Sequence, residues 1–232
     1  MDSLMLDKDY SFARVYQSLD LSAKLKQQPE DFIVKEHVPV EFSGDGEHCW
    51  LYIKKRGCNT DWVAQQLARY CNIKKSAVSY AGLKDRHAVT SQWFSVQLPG
   101  LPTPDWSGFE AAFNVPADTL LANNAHAQAE TRVEENIKLL QCFRHQKKLQ
   151  RGALKSNTFT ITLRELSNTS DKTFDLLKQR CDEIAAAGVP NYFGWQRFGR
   201  NRNNLLQAEK MFAKPGRRQP KHKRSMYLSA AR

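Results

Sequence analysis

Apolar and polar positions along this chain fall into short blocks with strand and helix rhythms. Phe32 to Val38 is apolar-rich and predicts a strand that Pro39 ends. Ser43-Gly44-Asp45-Gly46 is a turn cluster. Cys49 to Ile53 predicts a second strand, with Cys49, Leu51 and Ile53 on one face and Trp50 and Tyr52 on the other. Two apolar faces imply a sheet covered on both sides. Past Gly57-Cys58, Asn59 or Thr60 is placed to cap a helix running through Tyr70, with Val63, Leu67 and Tyr70 inward. Lys74 to Tyr80 reads as a short helix or turn. Gln92 to Leu98 alternates again, with Phe94, Val96 and Leu98 sharing a face. Pro99, Pro102 and Pro104 then break the chain. The alanine-rich stretch from Asp105 to Asn136 is ambiguous and is expected to fold in part as helix. Thr158 to Arg164 sets Phe159, Ile161 and Leu163 against Thr158, Thr160, Thr162 and Arg164. Lys172 to Ala187 carries the helical stripe Phe174, Leu177, Cys181 and Ile184, and Gly188 with Pro190 stops it. Strands and helices interleave without a regular βαβ repeat. The fold class expected is α+β, with a mixed, largely antiparallel sheet.

Composition narrows the function classes. The chain has 232 residues, 41% of them hydrophobic. It lacks the run of about 18 apolar residues that a membrane helix needs. Met1 to Tyr10 mixes acids with apolar residues and does not resemble a secretory signal, so a cytoplasmic location is the default expectation. None of the five cysteines pair at CxxC spacing, and the six histidines are scattered. Reduced, mostly buried thiols and no metal site are expected. Charge changes the picture more. From Asn191 to Arg232 there are eleven Lys and Arg against the single acid Glu209, so this segment carries +10 of the chain's +11. Arg217, Arg218, Lys223 and Arg224 lie in a stretch interrupted by Pro215, Gly216 and Pro220, which suits an extended loop on a phosphate backbone. A solvated basic loop is the alternative. Arg144, His145, Lys147, Lys148 and Arg151 form a second basic cluster.

The candidate chemistry lies in Ala81-Gly82-Leu83-Lys84-Asp85-Arg86-His87-Ala88-Val89-Thr90. An acid between two cations, just after a glycine, can serve as nucleophile or base on a bound substrate. The same letters also fit a polar turn leading into a strand. This segment resembles the catalytic motif of the TruD family of tRNA pseudouridine synthases. Three more segments match that family in the same order: Pro29-Glu30-Asp31-Phe32, then Gly152-Ala153-Leu154-Lys155-Ser156-Asn157-Thr158-Phe159, then Val189-Pro190-Asn191-Tyr192-Phe193-Gly194-Trp195-Gln196-Arg197-Phe198-Gly199. Together they span roughly Lys24 to Arg232, with poor matching before Lys24 and between Pro102 and Arg144.

The resemblance implies a pseudouridine synthase-like catalytic fold interrupted by an inserted domain. Residues 1–187 would be the catalytic portion, with a variable insertion at about 103–143, and 188–232 the start of the inserted domain. The chain would then be a truncated part of the family's length, because Ser225 to Arg232 reads as the beginning of a helix. The implied reaction isomerises a uridine of tRNA, uridine 13 in the D-arm region, without a cofactor. Asp85 matches the indispensable aspartate and Lys26 its basic partner. Phe32 and Asn157 occupy substrate-contact positions, and Phe159 shares the strand face of Asn157. Lys84 and Arg86 need not touch Asp85, since neighbouring residues point to opposite sides. His87 is a candidate hydrogen-bond partner behind the site. Arg197 lies in an aromatic–cationic run suited to RNA. The expected partner is tRNA and the expected state a monomer. A non-catalytic RNA-binding fragment, or a hydrolase using Asp85 and His87, remain alternatives.

Overall fold

A computed structural model describes residues 13–113, 136–190, 192 and 203–213. The chain divides into two compact units, Leu21–Asn168 and a second built from Met1–Asp20 with Thr169–Arg232. The first holds the strands β1 (Phe32–His37), β2 (His48–Arg56), β3 (Val78–Tyr80), β4 (Val89–Gln97), β5 (Asn136–His145) and β6 (Ser156–Ile161). They form one sheet in the order β5-β2-β4-β1-β6, with β3 beside β4. β4 is its axis. One edge of β4 pairs antiparallel with β2 along its length. Its other edge is shared, parallel with β1 from Ile33↔Val89 to Lys35↔Ser91 and antiparallel with β3 from Val78↔Val96 to Tyr80↔Phe94. β1 pairs antiparallel with β6. The sheet is therefore mixed and mostly antiparallel, as the patterning predicts.

Both faces of β2 are covered. Cys49, Leu51 and Ile53 join Phe94, Val96 and Ile137 under Val63, Ala64, Leu67 and Ala68 of α1 (Thr60–Tyr70), with Phe109 of α2 (Phe109–Phe113). Full burial of such an aliphatic side chain contributes about 1.5–3 kcal/mol. On the opposite face Trp50, Ala81, Trp93 and Leu149 gather, flanked by Phe42 and Tyr52. The Tyr52 and Trp93 rings stack at 4.9 Å, and Trp50 Nε1 donates to the Lys147 carbonyl at 2.9 Å. The α1 face changes character along its length. The pair Leu51↔Phe94 is apolar, but Ile53↔Gln92 and Lys55↔Thr90 bring buried polar groups toward the loop before β4.

Two elements differ from the sequence expectation. Lys74 to Tyr80 holds a single 3-10 turn, Lys75–Ala77, and then β3. Three residues are too few to show a period, and β3 exists because Val78 and Tyr80 find the β4 edge. The pattern predicts no strand over 136–145, yet these residues form β5, which pairs with β2 from Arg56↔Asn136 to His48↔His145. β5 is an edge strand, and its alternation breaks at a bulge, where the pairing steps from Tyr52↔Gln141 to Ile53↔Leu139 and leaves Leu140 extra. Residues 114–135 lie outside the described set. Gly46 (φ +106) ends the turn before β2, where an added Cβ would stand 2.6 Å from the backbone of Gln146, so only glycine fits. Cys49 and Cys58 are buried, whereas Cys181 is exposed.

In the other unit, α3 (Asp171–Ala187) begins on Ser170, whose Oγ accepts from the Thr173 N–H, and ends at Gly188 with φ +75. α4 spans Asn203–Phe212. The apolar stripe of α3 is partly exposed: Phe174 is 51% and Ile184 38% exposed. The described neighbours of α3 lie on another face, where Tyr16 bonds the Glu183 carbonyl and Arg180 sits over the Tyr16 ring.

Candidate functional site

The loop from Ala81 to Ala88 joins β3 to β4 and carries Asp85. It is pinned from beneath by side chains on regular elements. Gln92 Nε2 donates to the Gly82 carbonyl at 3.2 Å, and the Lys84 N–H donates to Thr60 Oγ1 at 3.0 Å. Thr60 Oγ1 donates in turn to Gln92 Oε1 at 2.8 Å. The Lys84 ammonium pairs with Glu36 of β1, whose other oxygen accepts the Trp93 N–H at 3.1 Å. Lys55 Nζ donates to the Asp85 carbonyl at 3.0 Å, and Arg86 Nε to the Gly57 carbonyl at 2.8 Å. The backbone is thus fixed before any ligand arrives, while the Asp85 side chain stays 40% exposed.

Asp85 Oδ2 receives Lys26 Nζ at 2.6 Å. Lys26 has φ +53, in the left-handed region that a lysine seldom occupies. Its carbonyl lies 2.9 Å from His87 Nε2, and its Nζ stands 3.7 Å from the centroid of the Phe32 ring. One side chain therefore joins the carboxylate to an aromatic face by an ion pair and a cation–π contact. The turn that carries Lys26 is held by Asp31, which accepts the Gln28 N–H at 3.2 Å and the Arg164 guanidinium at 2.8 Å. Burial works to raise the Asp31 carboxyl, but the Arg164 and Gln28 hydrogen bonds outweigh it and leave it below the ordinary carboxylate range.

β-pairing supplies the rest. Val34 pairs with Phe159 and Glu36 with Asn157, so Phe32, Asn157 and Phe159 share one face of β1 and β6. The Phe32 and Phe159 rings are 5.8 Å apart, and Phe159 is 54% exposed. Asn157 Oδ1 is buried without a hydrogen-bond partner, an acceptor still to be satisfied. The structure thus joins Asp85, Lys26, Phe32 and Phe159 by contacts and puts Asn157 on the face of the two rings. Arg197, Arg217, Arg218, Lys223 and Arg224 lie outside the described residues. Of the second basic cluster, Lys148 and Arg151 line an open cleft with Lys75, Asp61 and Tyr80. Among the described residues no group of three His, Cys, Asp or Glu could hold a metal ion, and no helix is long and apolar enough to cross a membrane.

Sequence reasoning gave no site role to Glu36, Lys55, Thr60 and Gln92. A usable signal existed. Lys55 continues the row Cys49-Leu51-Ile53, and Gln92 precedes Phe94 on the same strand face, so each is a polar residue at a core position.

The family described as tRNA pseudouridine synthase D (TruD) matches residues 13–214. A tRNA pseudouridine synthase D of Methylococcus capsulatus is 46% identical over 219 residues, covering 94% of this chain and 54% of that protein. One from Cellvibrio japonicus is 41% identical over 232 residues, covering 99% of this chain and 61% of that protein. A crystal structure of a Methanosarcina mazei protein bearing the TruD name superposes with a TM-score of 0.56 at 28% identity, over 90% of this chain and 45% of that one. The chain thus spans between about half and three-fifths of the length of the curated relatives it matches.

Proposed function

This chain belongs to the TruD family of tRNA pseudouridine synthases, and on that premise we propose that the Asp85 site isomerises a uridine of tRNA to pseudouridine. The observation that carries the proposal is the exposed Asp85 carboxylate, ion-paired to a lysine that also caps an aromatic ring. The reaction breaks the bond between uracil N1 and ribose C1′, turns the base, and rejoins it through C5. The C5 proton is lost and N1 gains one, so no redox partner enters. Asp85 acts on the sugar, as nucleophile at C1′ or as base. Either role needs a carboxylate oxygen facing the substrate, and Lys26 engages Oδ2 only.

A base inside folded RNA must leave its stack to reach Asp85. Phe32 and Phe159 offer rings for it to stack on, and the Asn157 Oδ1 acceptor suits the uracil N3–H. The finer reading is uridine 13 in the D-arm region. Residues 1–187 would then supply the catalytic portion and 188–232 begin the inserted domain. Arg197, Arg217, Arg218, Lys223 and Arg224 would contact phosphates.

The test is Asp85→Asn in a form of the protein that converts tRNA. An amide keeps the shape and removes the charge. Conversion should be abolished while tRNA binding stays within a few fold. Substantial pseudouridine in the mapped product would move the chemistry to another residue. Binding without conversion by the unaltered 232-residue chain would favour the alternative reading, an RNA-binding fragment.

A further inference from the structure

We propose that Lys55 is a positioning residue for Asp85, a buried cation that clamps the backbone of the reacting carboxylate and must stay protonated for the site to work. The inference rests on the reading of Asp85 given above. Lys55 lies on β2 with 1% of its surface exposed. Its Nζ donates to the Cys58 carbonyl at 2.7 Å and to the Asp85 carbonyl at 3.0 Å. A buried lysine ordinarily takes a carboxylate partner, because an unpaired charge out of water is costly. Lys84, one residue from Asp85, does this with Glu36. Lys55 instead directs its charge at two main-chain carbonyls, one of them that of Asp85 itself. A core position that needed only volume would take a methionine or leucine.

The surroundings make this charge sensitive. Burial pushes the Lys55 ammonium down to about 8. The facing groups act in both directions: the Asp85 carboxylate favours the charged form and Lys84 opposes it, while Cys58 donates its S–H to the Arg56 carbonyl and would add attraction only as a thiolate. While Lys55 is protonated, its bond to the Asp85 carbonyl is charge-assisted, and the neutral amine donates more weakly. The carbonyl belongs to the same residue as the reacting carboxylate. Slack there is slack in the attack geometry, where an error of about 1 Å can cost about 100-fold in rate.

Activity and stability should then move in opposite directions with pH. The unfolded chain keeps a lysine near about 10.4, so between about pH 8 and that value it binds more protons than the folded one, and stability rises with pH. The catalytic step should fall over the same interval. The experiment is single-turnover pseudouridine formation from pH 6 to 10 in a tRNA-converting form, with tRNA Kd and thermal unfolding midpoints measured alongside. The variants are Lys55→Met, Lys55→Arg and Asp85→Asn. Lys55→Met should slow the step about 100-fold with Kd changed less than about three-fold. Lys55→Arg keeps its charge throughout and should lose the alkaline fall while retaining measurable rate. Wild-type rates in Lys55→Met, or an unchanged alkaline fall in Lys55→Arg, would overturn the inference alone. An active Asp85→Asn would remove its premise. Should both Lys55 variants fail to fold, the wild-type profile decides: a rate that falls above pH 8 while the midpoint rises supports the clamp, and a flat rate refutes it.

Discussion

A carboxylate with 1% of its surface exposed needs partners, and Glu36 has two, the Lys84 ammonium and the Trp93 N–H. Glu36→Leu would strand both, with the Lys84 side chain only 8% exposed. Breaking such a pair from one side costs about 3–5 kcal/mol. Urea unfolding should show a loss of that order, and Glu36→Gln, which can still accept from Trp93, should lose less. A Leu variant within about 1 kcal/mol of wild type would mean that the pair contributes nothing. These residues were also the hardest to read. Lys26 and Asp85 stand 59 positions apart, and Lys84 and Glu36 48 apart, so no local pattern joins them. Only the family resemblance pointed to the first pair, and nothing pointed to the second. Lys55 was legible in principle, as a charge in line with Cys49, Leu51 and Ile53, but a lysine letter reads as solvent by default.

At the scale of elements, periodicity served wherever a face was long and singly coloured. β2, β4 and α1 lie where alternation and the helical stripe place them. It failed where tertiary contact supplies what the local sequence lacks, as in β3 against the β4 edge and β5 along β2. The stripe on α3 marks the limit of periodicity, since a helical period says which residues share a face and not that the face is covered. Gly46 links the two cases. The turn before β2 passes so close to Gln146, just after β5, that a methyl group there would meet its backbone at 2.6 Å. Gly46→Ala should therefore destabilise by about 1–3 kcal/mol, from both the clash and the positive φ. The denaturation midpoint reads this directly, and an unshifted one would mean that the turn moves aside freely.

For the whole molecule, charge is the dominant asymmetry, since the segment from Asn191 to Arg232 carries +10 of the +11. Changing Arg217, Arg218, Lys223 and Arg224 to Gln should weaken tRNA binding and flatten its salt dependence, by roughly 0.7–0.9 in the log–log slope for each phosphate no longer neutralised. A slope equal to that of the unaltered protein would show these cations idle. The partition of the chain bears on its biosynthesis. Leu21–Asn168 is one continuous stretch, and its own ends are fastened together: Lys24 and Arg164 exchange backbone bonds at 2.7 and 3.0 Å, and the Ser22 N–H donates to Ser167 Oγ at 3.0 Å. β1 gains its β6 partner only when that closing stretch exists. On a ribosome, the sheet is therefore completed only after nearly all of its stretch has emerged, and it then locks behind itself. Tyr16 precedes the sheet in the chain, yet its partners Arg180 and Glu183 follow it. The segment around Tyr16 is thus translated before the sheet and settles after it, which makes it a part of the nascent chain that a chaperone would have longest to hold.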